Sequence, residues 1–187
     1  MGHAAACAYL GDAHRKGIGV GKSQVLAASF YRQACMGQHT DACFWLAWMF
    51  QRGEGVRKDA AEAATLFERA CELGSPGGCF NVALTQRDTQ SATKYFAKAC
   101  ETGLGAGCRE LGVIASRQGD RQAAADLYQQ GCSREDATSC TMLAMSYKTG
   151  VGVKADPAHA LRLFRLACDK GNANACTEVK KVTQAGR

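Results

Sequence analysis

The chain is poor in most features that would announce a catalytic or membrane protein. It has two prolines, two tryptophans and only 7% aromatic residues in 187. So little proline, beside 21 glycines and abundant alanine, suits many short helices joined by tight turns better than a sheet sandwich. No apolar run approaches the roughly 18 residues that a bilayer-spanning helix needs; the run Phe44–Phe50 falls far short. A compact basic cluster and a basic-aromatic RNA motif are also missing. The formal charge of +6 is spread thinly, with 14 Lys and Arg against 9 Asp and Glu over 94–187, so a mildly basic, solvated surface is expected rather than a nucleic-acid site. Cys-x-x-Cys is absent, which removes the usual redox relay. Cysteines two to four residues apart are lacking too, and His3, His14, His39 and His159 do not cluster with the cysteines in sequence, so no structural zinc site, and no other metal or cofactor, is expected.

Cysteine itself is plentiful. Eleven occur, at Cys7 and then in five pairs: Cys35 and Cys43, Cys71 and Cys79, Cys100 and Cys108, Cys132 and Cys140, Cys168 and Cys176. Every pair is eight residues apart, and the pairs recur at intervals of 36, 29, 32 and 36 residues, the period of helix-turn-helix arrays.

Aligned on the second cysteine, each unit carries an apolar residue three positions on and a small one at four: Leu10-Gly11, Leu46-Ala47, Val82-Ala83, Leu111-Gly112 and Leu143-Ala144. With Phe50 and Tyr147 at the seventh position these make an amphipathic first helix. In three units it stops at a glycine pair: Gly17-Ile18-Gly19-Val20, Gly53-Glu54-Gly55-Val56 and Gly150-Val151-Gly152-Val153. A second helix follows behind Ser23, Asp59 or Asp156 as N-cap, with Asp59 and Glu62 spaced as a capping box. Its stripe reads Ala27, Phe30, Tyr31, Ala34 in the first unit, Ala63, Leu66, Phe67, Ala70 in the second and Ala160, Leu163, Phe164, Ala167 in the last. Two units lack the glycine loop; Thr85–Asp88 and Ser116–Asp120 connect their helices directly.

The first cysteine of each pair ends a second helix and the other begins the next first helix. Antiparallel helices joined by so short a turn bring such ends within reach of a disulfide, so all five pairs are expected to close locally. Bridges in that number call for an oxidising compartment, although the opening residues carry no signal peptide. By register Cys7 is the second member of a pair whose first member would precede Met1, so it is expected to be free or to bridge two chains.

The recurring unit, a cysteine or alanine, Leu-Gly, Tyr, Gly-x-Gly-Val, Asp, Ala, Phe-Tyr, Ala, resembles the Sel1-like repeat, a relative of the tetratricopeptide repeat, over residues 7–176. The paired cysteines are similar to the cysteine-rich secreted bacterial subfamily. The resemblance implies an all-α, right-handed α/α superhelical solenoid with one disulfide per repeat. It reads residues 1–187 as a single domain of about five repeats, with units starting near Cys7, Cys43, Cys79, Cys108 and Cys140 and a terminal cap over 177–187. It also implies a non-enzymatic scaffold, periplasmic or secreted, that binds a protein or an extended peptide. A weak penicillin-binding or β-lactamase-like hydrolase is the alternative that family analogy offers.

First helices line the groove in related solenoids. Their outward positions here include Phe44, Trp45, Trp48, Met49 and Arg52 in the second unit, Leu84 in the third and Met145 in the fifth, an apolar strip suited to a peptide. Trp48 is the expected principal anchor. Packing between helices is the competing role for both tryptophans. Arg15, Arg52 and Lys148, near first-helix ends, are placed to meet a carboxylate. Ser91-Ala92-Thr93-Lys94 and Lys148-Thr149-Gly150 match short β-lactam-enzyme motifs, but the second is the repeat's own helix stop and both are read as chance.

Overall fold

A computed structural model describes residues 2–185, and among these all regular structure is helical. Eleven helices follow one another: α1 (Gly2–Lys16), α2 (Gln24–Met36), α3 (Thr40–Arg52), α4 (Ala60–Glu72), α5 (Pro76–Thr85), α6 (Thr89–Glu101), α7 (Gly105–Arg117), α8 (Arg121–Ser133), α9 (Ala137–Thr149), α10 (Pro157–Asp169) and α11 (Ala173–Ala185). Odd-numbered helices are the first helices of the repeats and even-numbered ones the second. The chain divides into two compact halves, Met1–Tyr95 and Phe96–Arg187. Of the stretch expected as a terminal cap, 177–185 continue α11, while 186 and 187 lie outside the described residues.

Residues at fixed distances from the cysteines perform the same local tasks in every unit. Three residues past the first cysteine of a pair the backbone turns left-handed, at Gly74, Gly103 and Gly171 and also at Gln38 (φ 62°) and Glu135 (φ 66°), where a side chain accepts a conformation that glycine takes without strain. One residue later stands the N-cap of the next first helix: His39, Ser75 and Asp136 each accept a hydrogen bond from the N–H three residues on, while Leu104 offers no side-chain cap. The second cysteine then lies on the opening turn of that helix. Each of the five pairs is closed, with Cα atoms 4.5–4.7 Å apart.

The glycine loops stop the first helices as the sequence implies, with Gly17, Gly53 and Gly150 left-handed at φ 73–75°. Ser23, Asp59 and Asp156 cap the second helices from their side chains. The capping box at Asp59 is only half formed. Its carboxylate accepts from Ala61 N and Glu62 N, but its own N–H donates to the Phe50 carbonyl 3.0 Å away instead of to Glu62. Ser23 N and Asp156 N donate likewise to His14 O and Tyr147 O, so this backbone bond closes each glycine loop onto its first helix.

The second glycine of each pair governs how a loop meets the helix before it. A Cβ on Gly55 (φ +70°) would run into the Gln24 carbonyl and come 2.7 Å from Val25 N, at the start of α2. Gly152 (φ +77°) abuts the Arg121 carbonyl at the start of α8 in the same way. A Cβ on Gly19 (φ +73°) would meet nothing within 4 Å.

Small residues set the spacing inside each hairpin. At the fourth position after the cysteine, Gly11 and Gly112 sit so close to Tyr31 and Tyr128 that a Cβ would approach those rings to 2.6 and 2.5 Å. Units whose second helix carries phenylalanine at the same place, Phe67 and Phe164, have Ala47 and Ala144 there instead. Below the tyrosine or phenylalanine, alanines with essentially no exposed surface (Ala27, Ala34, Ala63, Ala70, Ala160, Ala167) let the helices touch.

Cys7 is buried and unpaired. Its Sγ lies 3.7 Å from His3 Nε2 and 3.6 Å from Gln33 Oε1, so one histidine does come beside a cysteine, through a helical turn that sequence spacing alone did not associate with the pairs. Among the described residues, no three or more His, Cys, Asp or Glu gather as a metal set.

Candidate functional site

The first-helix face is built most fully on α1 and α3. Residues Cys43, Leu46, Ala47 and Phe50 turn α3 inward, and the side chains one position round the helix form its outer surface. Met49, expected outward, is instead fully buried. The reason is that α3 packs against α1 and α2 as well as against its own partner α4, so a second stripe is covered that the amphipathic pattern of one helix does not mark.

Phe44, Trp45 and Trp48 are half-buried and form an edge-on aromatic chain, with Phe44 to Trp45 centroids 5.3 Å apart and Trp45 to Trp48 6.0 Å. Their surroundings differ. Phe44 leans on Phe67 of α4, centroids 5.8 Å apart, and on the bare backbone of Gly77 in α5, where a Cβ would come within 2.8 Å of the ring. Trp45 lies under the Arg15 guanidinium, 4.1 Å from its ring centre. Trp48 has Arg52 over its ring, at 4.3 Å.

Arg15 is itself locked. Its Nη2 donates to Asp12 Oδ1 and its Nε to the Tyr31 hydroxyl, both at 2.8 Å, and Tyr31 donates to the same Asp12 oxygen at 2.8 Å. Burial, with Asp12 waiting as acceptor, pushes the Tyr31 phenol up to about 12, so it stays a donor. Burial opposes ionisation of Asp12, but the bonds from Arg15 and Tyr31, with Lys16 nearby, outweigh it and hold that carboxyl below its ordinary range. A carboxylate with a lowered folded pKa contributes stability above the unfolded value of about 3.9, and loses it as pH falls through the folded value. Urea midpoints of the parent should therefore drop more steeply below about pH 4 than those of Asp12→Asn. Parallel pH profiles for the two proteins would show that Asp12 is not held in this way.

The cations expected to meet a ligand carboxylate already hold internal ones. Arg15 is paired with Asp12, Arg52 Nε with Glu54 at 2.8 Å, and Lys148 Nζ with Glu178 at 2.6 Å. Glu178, on α11, also accepts from Lys181 at 2.7 Å, and these two lysines hold its carboxyl down to about 2. The Lys148 pairing is invisible to a reading of one helix at a time, because Glu178 lies 30 residues from Lys148.

Sequence reasoning placed Leu84 and Met145 on the outer face, and both are exposed, at 60% and 41%. With Trp48 they share one register, five residues after the first-helix cysteine, where Asp12, Val113 and Lys181 also stand.

The β-lactam motifs find no supporting geometry. Ser91 lies on the first turn of α6, where its N–H is engaged by Asp88. Lys148-Thr149-Gly150 is the end of α9 and its left-handed stop, and the Lys148 ammonium is occupied by Glu178.

Comparison with known proteins agrees with this architecture. Segments 4–39, 40–75, 83–104, 102–136 and 137–172 match the Sel1 repeat. A Sel1 repeat protein from Oxalobacter formigenes is 27% identical and superposes with a TM-score of 0.93 over 98% of this chain and 80% of its own. The protein c5321, a protective antigen of uropathogenic Escherichia coli strains displaying an SLR fold, is 26% identical at a TM-score of 0.88, over 99% of this chain but 42% of its own. Cysteine rich protein B of Helicobacter pylori is 32% identical over 64% of this chain and 94% of its own, at a TM-score of 0.55. No curated protein sequence matches.

Proposed function

Because the chain belongs to the Sel1 repeat family, whose members are in general protein-interaction scaffolds, we propose that it is a non-enzymatic adaptor that seats an extended peptide or protein segment on its first-helix face. The observation that carries this reading is the register five residues past the cysteine. There the half-buried Trp48 and the exposed Leu84 in the first half, and the exposed Met145 in the second, place apolar side chains on the outer side of helices whose inner sides are already satisfied. Large apolar residues that return at one outward register in each half offer a partner surface to cover.

Trp48 serves as anchor in this reading. Phe44 and Trp45 act behind it, since Gly77, Phe67 and Arg15 hold them in place and so fix the floor on which Trp48 stands. Arg52 orients the Trp48 ring and keeps Glu54 as its counter-ion. Five disulfides support work outside the reducing cytoplasm, in the bacterial envelope or secreted, and the cysteine-rich relative from Helicobacter pylori supports the same. No described helix is long and apolar enough to cross a membrane. Residues 1–187 act here as one repeat domain.

Random peptides displayed on phage and panned against the oxidised chain test the proposal. Enriched peptides are expected to lose about tenfold or more in affinity, roughly 1.4 kcal/mol or more, for Trp48→Ala combined with Leu84→Ser. Peptides that bind parent and variant equally would move the binding surface off the first helices.

A further inference from the structure

We propose that the first-helix face of the second half takes an extended peptide whose side chains, at three-residue spacing, are apolar, apolar and acidic. The inference rests on the scaffold reading above and specifies its ligand. Five residues past the cysteines of α7, α9 and α11 stand Val113, Met145 and Lys181. Val113 is half-buried, one side of it packed against the cluster of Ala124, Ala125, Tyr128 and Leu143, so it offers a ligand only its outer edge; Met145 is exposed, and the Lys181 side chain is 66% exposed. Packed helices lie about 8–10 Å apart, and a chain in the extended polyproline II form advances about 3.1 Å per residue with three residues per turn. Every third side chain of such a chain points the same way and would meet a successive first helix.

The groove between α9 and α11, of about 340 Å³, is lined by Thr141, Met145, Asn174, Thr177, Glu178 and Lys181. Its charge is unbalanced. Glu178 is the most covered member of its cluster and accepts from both Lys148 and Lys181. One carboxylate facing two ammonium groups leaves a net positive charge at the outer edge, beside the exposed Met145. An acidic side chain arriving next to an apolar one on Met145 completes that set. The acid proposed is a side-chain carboxylate, and the probes below carry a terminal amide so that it is their only carboxylate.

The probes are N-acetyl-Leu-Gly-Ser-Leu-Gly-Ser-Glu-amide and the same peptide ending in Gln-amide. The reporter is the Met145 methyl resonance of the full oxidised chain, assigned by Met145→Leu. The Glu probe should shift that resonance saturably, with about tenfold higher affinity than the Gln probe at low salt, a ratio that contracts as salt rises. Lys181→Gln, an exposed change that leaves Lys148 to hold Glu178, should bring the two probes level. Equal affinity of both probes for the parent would overturn the acidic preference and leave the scaffold reading intact. A Met145 methyl that neither probe moves, while displayed peptides still bind the chain, would overturn the second half as their seat. A shift that grows with protein concentration alone would make the occupant a second copy and overturn the proposal.

Discussion

Reduction of the five disulfides is expected to unfold the chain without any denaturant. In the chain-entropy model a bridge closing a loop of about nine residues contributes about 2.5 kcal/mol, and five together on the order of 10 kcal/mol as an upper bound. Domains of this size are stable by about 5–15 kcal/mol in total, so removing the bridges removes much or all of the margin. A repeat array is especially exposed to this loss, because each unit is stabilised only by its neighbours. Far-UV circular dichroism with and without dithiothreitol measures the effect, and a thermal midpoint that barely moves would show the bridges to be dispensable. The same samples check the bonding pattern: alkylation in denaturant without reductant should label one thiol, Cys7, and in the native state label it slowly because it is buried.

Gly55→Ala is expected to cost clearly more than Gly19→Ala, although both glycines are left-handed, at φ +70° and +73°. An L-residue in that conformation costs about 1–2 kcal/mol by itself. Gly19 should show that cost alone, since no atom stands within 4 Å of the added methyl. At Gly55 the methyl also meets backbone, the Gln24 carbonyl and Val25 N, which cannot swing away as a side chain does. A total of about 3 kcal/mol or more is expected, seen as a lower urea midpoint. The difference between the two variants isolates the docking of the Gly53–Val56 loop on α2 from the strain of the turn. Equal losses would mean that this docking is loose.

The contrast between these glycines also shows what the sequence could and could not convey. Cysteine spacing, the Leu46-Ala47 type of stripe, the glycine stops and the caps Ser23, Asp59 and Asp156 all arise from chemistry within one hairpin, and they were legible there. Features made between one helix and another were not. Met49 lies at an outward position by the periodicity of α3, yet it is fully buried in a helix that packs against α1, α2 and α4. The return bond of the Asp59 capping box is lost to a Phe50 carbonyl that the spacing of Asp59 and Glu62 does not mention. Lys148 reads as a free cation because Glu178 lies 30 residues away, and the Tyr31 hydroxyl that helps to lock Arg15 comes from α2, whereas Asp12 and Glu54, the acidic partners of Arg15 and Arg52, lie within three residues and were within reach of the sequence. Of the candidate surface, Trp48, Leu84 and Met145 could be placed from helical register. The distinct surroundings of Phe44 and Trp45 depended on Gly77 and Arg15, each in another unit.

Each bridge is written within a nine-residue span, from the end of one helix to the first turn of the next, and its geometry is set by a turn inside that same span. Correct pairing therefore needs no information from distant parts of the chain. In an oxidising medium each pair can close by itself, independently of the pairs before and after it. A gene that gains or loses a whole unit keeps every remaining pair in phase. Copy number can drift while the local pairing rule is kept, and the length of the array becomes a property that recombination can adjust one repeat at a time.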